Sequence, residues 1–154
     1  MVLTHLLLQS GQPSPPGVIT FAPASIQTVD RLSDHAKAQD STDILTIPMI
    51  ESFWSAYVGN SGVSRIDPLV SGVFIPFAAP WPKTLILVGS GDLLIDASRE
   101  LSKRLLAANL PVELVEYDER PHGWWVMPHI FPEDIQDAAQ RIAQFVLGSS
   151  LARL

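Results

Sequence analysis

Residues 84–96 read TLILVGSGDLLID, and residues 110–123 read LPVELVEYDERPHG. Leu85, Ile86, Leu87 and Val88 form a continuous apolar run bounded by Pro82 and Gly91, the pattern of a strand buried on both faces. Pro111 to Tyr117 gives a second strand with some alternation. Between them, Leu101, Leu105 and Ala108 recur on one side while Arg99, Lys103 and Arg104 lie mostly on the other, so 96–108 reads as an amphipathic helix. Asn109 suits a left-handed cap, and Pro111 prevents continuation. Strand, helix, strand in this order implies parallel pairing through a right-handed crossover.

Working outward, 132–147 is a strong amphipathic helix. Pro132 sits near its first turn, Glu133 and Asp134 suit the N-terminal dipole, and Gly148 is expected to end it. Ile135, Ala138, Ala139, Ile142, Phe145 and Val146 make its apolar face. Upstream, 17–22 is a short apolar run ending at Pro23, a further buried strand. Residues 2–9 read as two helical turns closed at Gly11. The span 24–82 is an excursion between the first and second strands, polar and weakly helical to Asp43. Ser41-Thr42-Asp43 is a candidate cap for a short helix that Pro48 interrupts near Ile47, and a second short helix is expected over 50–58, ending at Gly59. The expectation is an α/β fold with about three parallel strands and flanking helices.

The 154 residues suit one ordinary domain, and 47% hydrophobic against 17% charged residues is enough to fill a core. A formal charge of -6 leaves no basic face for phosphates, which argues against nucleic-acid binding. The absence of cysteine excludes disulfides, a thiolate nucleophile and cysteine-ligated metal. No apolar run reaches the roughly 18 residues of a membrane span. The N-terminus lacks a basic n-region and an A-x-A-like exit, so a soluble chain without a signal peptide is expected, its compartment left open.

In open α/β sheets, chemistry collects at the carboxyl ends of strands. Two polar residues stand there: Asp92 after the first strand of the opening stretch, and His122 after the second. An acid and a histidine in that order suit the orienting and proton-shuttling members of a hydrolase triad. Each also has a plainer reading. Asp92 can be a carboxylate facing a helix dipole, and His122 a loop residue packed on Trp124 and Trp125. Asp96 has the dipole reading more strongly. His122 and His129 are separated by Pro128, so no helix presents them as a metal pair, and no metal site is expected. His5 reads as a packing residue. Trp54, Trp81, Trp124 and Trp125 read as core or as pocket wall.

These residues together resemble the C-terminal half of an α/β hydrolase of the hormone-sensitive-lipase-like branch, the α/β hydrolase fold-3 domain. The segments that carry the likeness are 67-DPLVS-71, 84-TLILVGSGDLLID-96, 110-LPVEL-114 and 121-PHG-123, and nearly the whole of 1–154 is covered as a partial domain. The resemblance implies hydrolysis of small acyl esters through a Ser-Asp-His triad with no cofactor, with Asp92 as the acid and His122 as the base. It departs at the nucleophile. Glycines lie at 11, 17, 59, 62, 72, 89, 91, 123 and 148, so no two are four apart and none are adjacent; neither G-x-S-x-G nor an HGGG-type oxyanion loop occurs. The expectation is therefore a chain carrying the acid and the histidine, without serine-esterase turnover of its own. Alternatively it is a non-catalytic fragment, degenerate paralogue or half-domain that associates with a partner or with itself through the open edge of its first strand. A flavodoxin-like binding module ranks last, because 89-GSGD-92 lacks G-x-G-x-x-G and puts an acid where a phosphate would sit.

Overall fold

The structure is a computed structural model that describes residues 1–23, 32–41 and 43–151; at 41 and 149–151 only the backbone is described. The elements are α1 (Val2–Gln9), β1 (Gly17–Phe21), α2 (Asp34–Ala38), α3 (Ile47–Val58), β2 (Lys83–Gly89), α4 (Ile95–Ala107), β3 (Val112–Tyr117) and α5 (Pro132–Leu151), with single 3-10 turns at Gln39–Ser41, Gly72–Phe74 and Trp124–Val126. The sheet has the order β1-β2-β3 and is parallel throughout: Ile19 stands opposite Leu85, and Leu85 opposite Glu113.

The central strand explains its own sequence. Alternate side chains of a strand point to opposite faces. Leu85 and Leu87 pack with Tyr117, Trp124 and the α5 residues Ala138, Ile135 and Ile142. Ile86 packs with Leu101 and Leu105 of α4 and with Val73, Ile75 and Trp81. Val88 joins a third cluster at the carboxyl end of the sheet, with Ala22, Leu45, Ile50, Trp54 and Leu94. With both faces covered, β2 has no polar side and reads as an unbroken apolar run.

α4 ends as its sequence predicts. Asn109 has φ 55, the Leu110 amide donates to the Leu105 carbonyl at 3.0 Å and the Asn109 amide to Leu106 at 2.9 Å, which is the paired closure of a Schellman motif. Four expectations are corrected. α5 does not stop at Gly148 but runs to Leu151; Gly148 has no neighbour crowding it and is exposed, and a helical glycine costs only about 1 kcal/mol relative to alanine. Ala139 and Val146 are exposed rather than part of the buried stripe, which narrows to Ile135, Ala138, Ile142 and Phe145. Pro48 does not interrupt a helix; it lies in the first turn of α3, where proline lacks only an amide that has no helical partner, and Thr46 Oγ1 caps the Met49 amide at 3.4 Å. The helix expected from 41 to 47 does not appear among the described residues: Ser41 ends the 3-10 turn Gln39–Ser41, and 43–46 are neither helix nor strand. The expected polar stretch 24–43 falls partly on 24–31 and Thr42, outside the described residues.

Candidate active site

Asp92 follows β2 in the turn that starts α4, and His122 lies in the loop between β3 and the turn at Trp124–Val126. The two loops are brought together by close backbone approach. The Ser90 amide donates to the Tyr117 carbonyl at 2.8 Å, and the Gly91 amide to the Arg120 carbonyl at 3.2 Å. A Cβ on Gly89 would lie 1.9 Å from the Arg120 carbonyl oxygen, so only glycine lets the histidine loop seat here.

The seating places His122 Nδ1 3.0 Å from Asp92 Oδ2. Asp92 is wholly buried, and His122 keeps 30% of its side chain exposed, so one partner is shielded and the other reaches the surface. Asp92 Oδ1 accepts the Leu94 amide at 2.8 Å. Asp92 thus meets both readings of its position: it faces the start of α4 and it holds the imidazole. The hydrogen bond to Asp92 raises the His122 imidazole above its ordinary range, partial burial opposes this, and Coulomb attraction from Asp92 and Asp43 adds to it. Burial pushes the Asp92 carboxyl up, against the hydrogen bonds from His122 and Leu94 that hold it down. With Nδ1 donating to Asp92, Nε2 is the nitrogen left to act as a base.

In front of His122 lies a cavity of about 430 Å³ lined by Ala22, Leu45, Ile50, Phe53, Trp54, Tyr57, Val70 and Leu94 as well as the histidine. Four of these nine residues, Ile50, Phe53, Trp54 and Tyr57, come from α3. Of the four tryptophans, Trp54 lines this cavity. Trp125 stands edge-on to the His122 ring at 5.4 Å between centroids and also contacts Phe21 at 5.2 Å. Trp81 and Trp124 do not line it. Trp81 belongs to the α4-side cluster, where its Nε1 donates to Thr84 Oγ1 at 3.2 Å, and Trp124 is fully buried beneath α5. Their size and burial make them core rather than pocket wall. His5 is buried on α1 and His129 is exposed. Among the described residues, no group of three or more His, Asp or Glu side chains is placed to hold a metal ion, and no helix is long and apolar enough to cross a membrane.

Sequence reasoning missed Asp43 and most of the cavity wall. Asp43 comes from the loop before α3, and nothing local distinguishes it from the other polar residues around it. Only the fold shows that its carboxylate reaches the amides of Leu93 at 3.0 Å and His122 at 2.7 Å. Leu45, Ile50 and Val70 look like ordinary core residues in sequence; Phe53 and Tyr57, on α3, line the cavity while remaining largely exposed.

Comparison with known proteins agrees with this fold. A solved hormone-sensitive lipase from a metagenome library superposes with a TM-score of 0.84 at 25% identity, over 96% of this chain and 49% of that one. An esterase of the bacterial hormone-sensitive lipase family gives a TM-score of 0.81 at 25% identity, over 94% of this chain and 47% of its own. The versiconal hemiacetal acetate esterase of Emericella nidulans is 29% identical over 113 residues, which is 71% of this chain and 38% of that protein. The chain thus spans less than half the length of these relatives. The family described as the alpha/beta hydrolase fold matches residues 1–126. With three parallel strands, flanking helices and an acid and a histidine meeting at the strands' carboxyl ends, this chain belongs to the α/β hydrolase fold family, in its esterase- and lipase-like fold-3 branch.

Proposed function

We propose that these residues carry the acid and the base of a carboxylic ester hydrolase of the Ser-Asp-His type. The supporting observation is the 3.0 Å contact between His122 Nδ1 and a fully buried Asp92 at the rim of an apolar cavity. Asp92 fixes the tautomer and stabilises the imidazolium. His122 Nε2 takes the proton of a hydroxyl nucleophile as it attacks the ester carbonyl, then returns it to the leaving alkoxide. The cavity beside it suits an apolar acyl or alcohol group. The substrate class is a small acyl ester, and no cofactor enters the scheme.

The nucleophile and the oxyanion donors have no match in residues 1–154, which contain no G-x-S-x-G and no paired glycines. Loss of one oxyanion donor alone costs about 100- to 1000-fold in rate, and loss of the nucleophile removes the acyl-enzyme route. Purified protein is therefore expected to hydrolyse p-nitrophenyl butyrate no faster than His122→Ala. Hydrolysis that disappears in His122→Ala would reveal a nucleophile within these residues and overturn the proposal of inactivity, while leaving His122 as the base.

A second reading is favoured by one observation. Among the described residues β1 pairs only with β2, so its outer edge offers unpaired backbone groups. On this reading the chain is a non-catalytic half-domain that associates through that edge with a partner or a second copy. Sedimentation at micromolar concentration checks it, and a monodisperse monomer would count against self-association.

A further inference from the structure

We infer that Asp43 is a positioning residue for the acid–imidazole pair: its carboxylate ties the backbone of His122 to the backbone beside Asp92, and so sets the reach between the two side chains. The catalytic value of this rests on the reading of His122 as a base; the tie itself does not.

Three loops meet at this one carboxylate. Oδ1 accepts the His122 amide at 2.7 Å and the Ile44 amide at 2.7 Å. Oδ2 accepts the Leu93 amide at 3.0 Å. The bonds to Leu93 and His122 span 50 and 79 residues of chain, so neither is a local turn. Asp43 is itself buried, at 9% exposure, and its own amide donates to the Gln39 carbonyl at 2.7 Å. A buried carboxylate accepting three amides is a strong anchor, because charge-assisted hydrogen bonds exceed neutral ones and an unpaired buried amide is costly.

The geometry gives the anchor a specific effect. Leu93 is the residue after Asp92, and the bond to His122 is made at that residue's own amide. Asp43 therefore fixes the backbones from which both side chains of the pair depart. It also brings a second negative charge to the imidazole and adds to the rise of its pKa. The other charged groups near this loop do not duplicate it. Arg120, two residues before His122, is engaged with Asp134 of α5 at 2.5 Å, and Asp96 of α4 accepts from Ser33 at 2.6 Å. Leu45, two residues after Asp43, lines the cavity, so the same anchor ties the cavity wall to the proton-transfer residues.

The first test needs no substitution. In a long-range HNCO experiment on the isotope-labelled full chain, the amides of both His122 and Leu93 are expected to show couplings to Asp43 Cγ and to exchange slowly with solvent. The second test is Asp43→Asn, which keeps the size and one acceptor but turns an amide group toward another donor. It is expected to lower the His122 imidazole midpoint and to speed exchange at Leu93 and His122 about 10-fold or more, while β2 amides keep their protection. Asp43→Glu is expected to recover part of the midpoint but not the amide protection. Missing couplings with fast exchange at both amides in the wild type would overturn the inference, whether or not the variant folds. So would a folded Asp43→Asn whose imidazole midpoint and two amides match the wild type. Ester hydrolysis is not read in either test, so failure of the esterase reading leaves this result standing, and failure here leaves the esterase reading standing.

Discussion

Two regions build the candidate site, and they do so differently. The ends of β2 and β3 place Asp92 and His122 by direct contact between neighbouring loops, with Gly89 and Gly91 pressed against the Glu119 and Arg120 backbone. The segment between β1 and β2 supplies the cavity wall through α3 and is attached by a few polar clips. Ser33 meets Asp96 through both its amide and its hydroxyl, at 2.6 and 3.0 Å, His35 Nε2 lies 2.8 Å from the Ser90 carbonyl, and Asp43 holds Leu93 and His122. The first region is packed backbone on backbone: a Cβ on Gly89 would lie 1.9 Å from the Arg120 carbonyl oxygen, and one on Gly91 3.2 Å from it. The second is held by hydrogen bonds around an apolar cluster and encloses open space. Asp92 and His122 thus depart from loops in direct backbone contact, and the cavity wall comes from the segment held by polar clips.

The comparison is first sharpened by paired truncations of tryptophan. Trp124 is fully buried under the sheet, so Trp124→Ala is expected to cost about 5 kcal/mol, the upper end for such changes. Trp54 already borders the cavity, and Trp54→Ala is expected at the lower end, about 3 kcal/mol. Chemical denaturation of both variants measures the gap, and equal costs would erase the distinction drawn above. Next, Gly89→Ala is expected to cost about 3 kcal/mol or more, because the new Cβ meets the Arg120 carbonyl rather than a flexible side chain. A variant as stable as wild type would show that the histidine loop can move freely.

Smaller effects probe the frame away from the site. Asn109→Ala puts a Cβ-bearing residue without a compensating side chain at φ 55 and is expected to lose about 1 kcal/mol, while Asn109→Gly is expected to be neutral within about 0.5 kcal/mol. The pH dependence follows from the direction of the His122 shift. Its folded pKa is raised above the ordinary value of 6.5, so the stability it contributes is fully present below that value and is lost as pH climbs through the raised folded value. The Tm gap between wild type and His122→Gln is therefore expected to be wider near about pH 6 than near about pH 9. A gap that widens toward alkaline pH would reverse the sign and break the assignment.

The same contrast decides what was legible in the sequence. β2, α4 and β3 are read correctly because each obeys a local rule: an apolar run between breakers, a 3.6-residue stripe, an asparagine cap before proline. Asp92 and His122 stand out in sequence because the carboxyl ends of parallel strands are where side chains from separate loops converge, and the structure brings the two within 3.0 Å. The segment between β1 and β2 obeys few such rules. Its ties are between residues 50 to 79 apart, and no local pattern marks Asp43 as the one aspartate among several that reaches them. Pro48 and Gly148 mislead for a simpler reason: both residues break helices in some positions and are tolerated in others, at the first turn for proline and in an exposed interior for glycine. Trp81 and Trp124 could not be separated from Trp54 because burial against a helix and burial against a cavity leave the same residue type behind.

The most direct measurement is a titration of the His122 imidazole by NMR in the wild type and in Asp92→Asn. If the two loops form the acid–imidazole pair described here, the wild-type midpoint lies above the ordinary 6.5 and falls in Asp92→Asn. A wild-type midpoint at or below 6.5, or one that Asp92→Asn leaves unchanged, would contradict the pairing on which the functional reading rests.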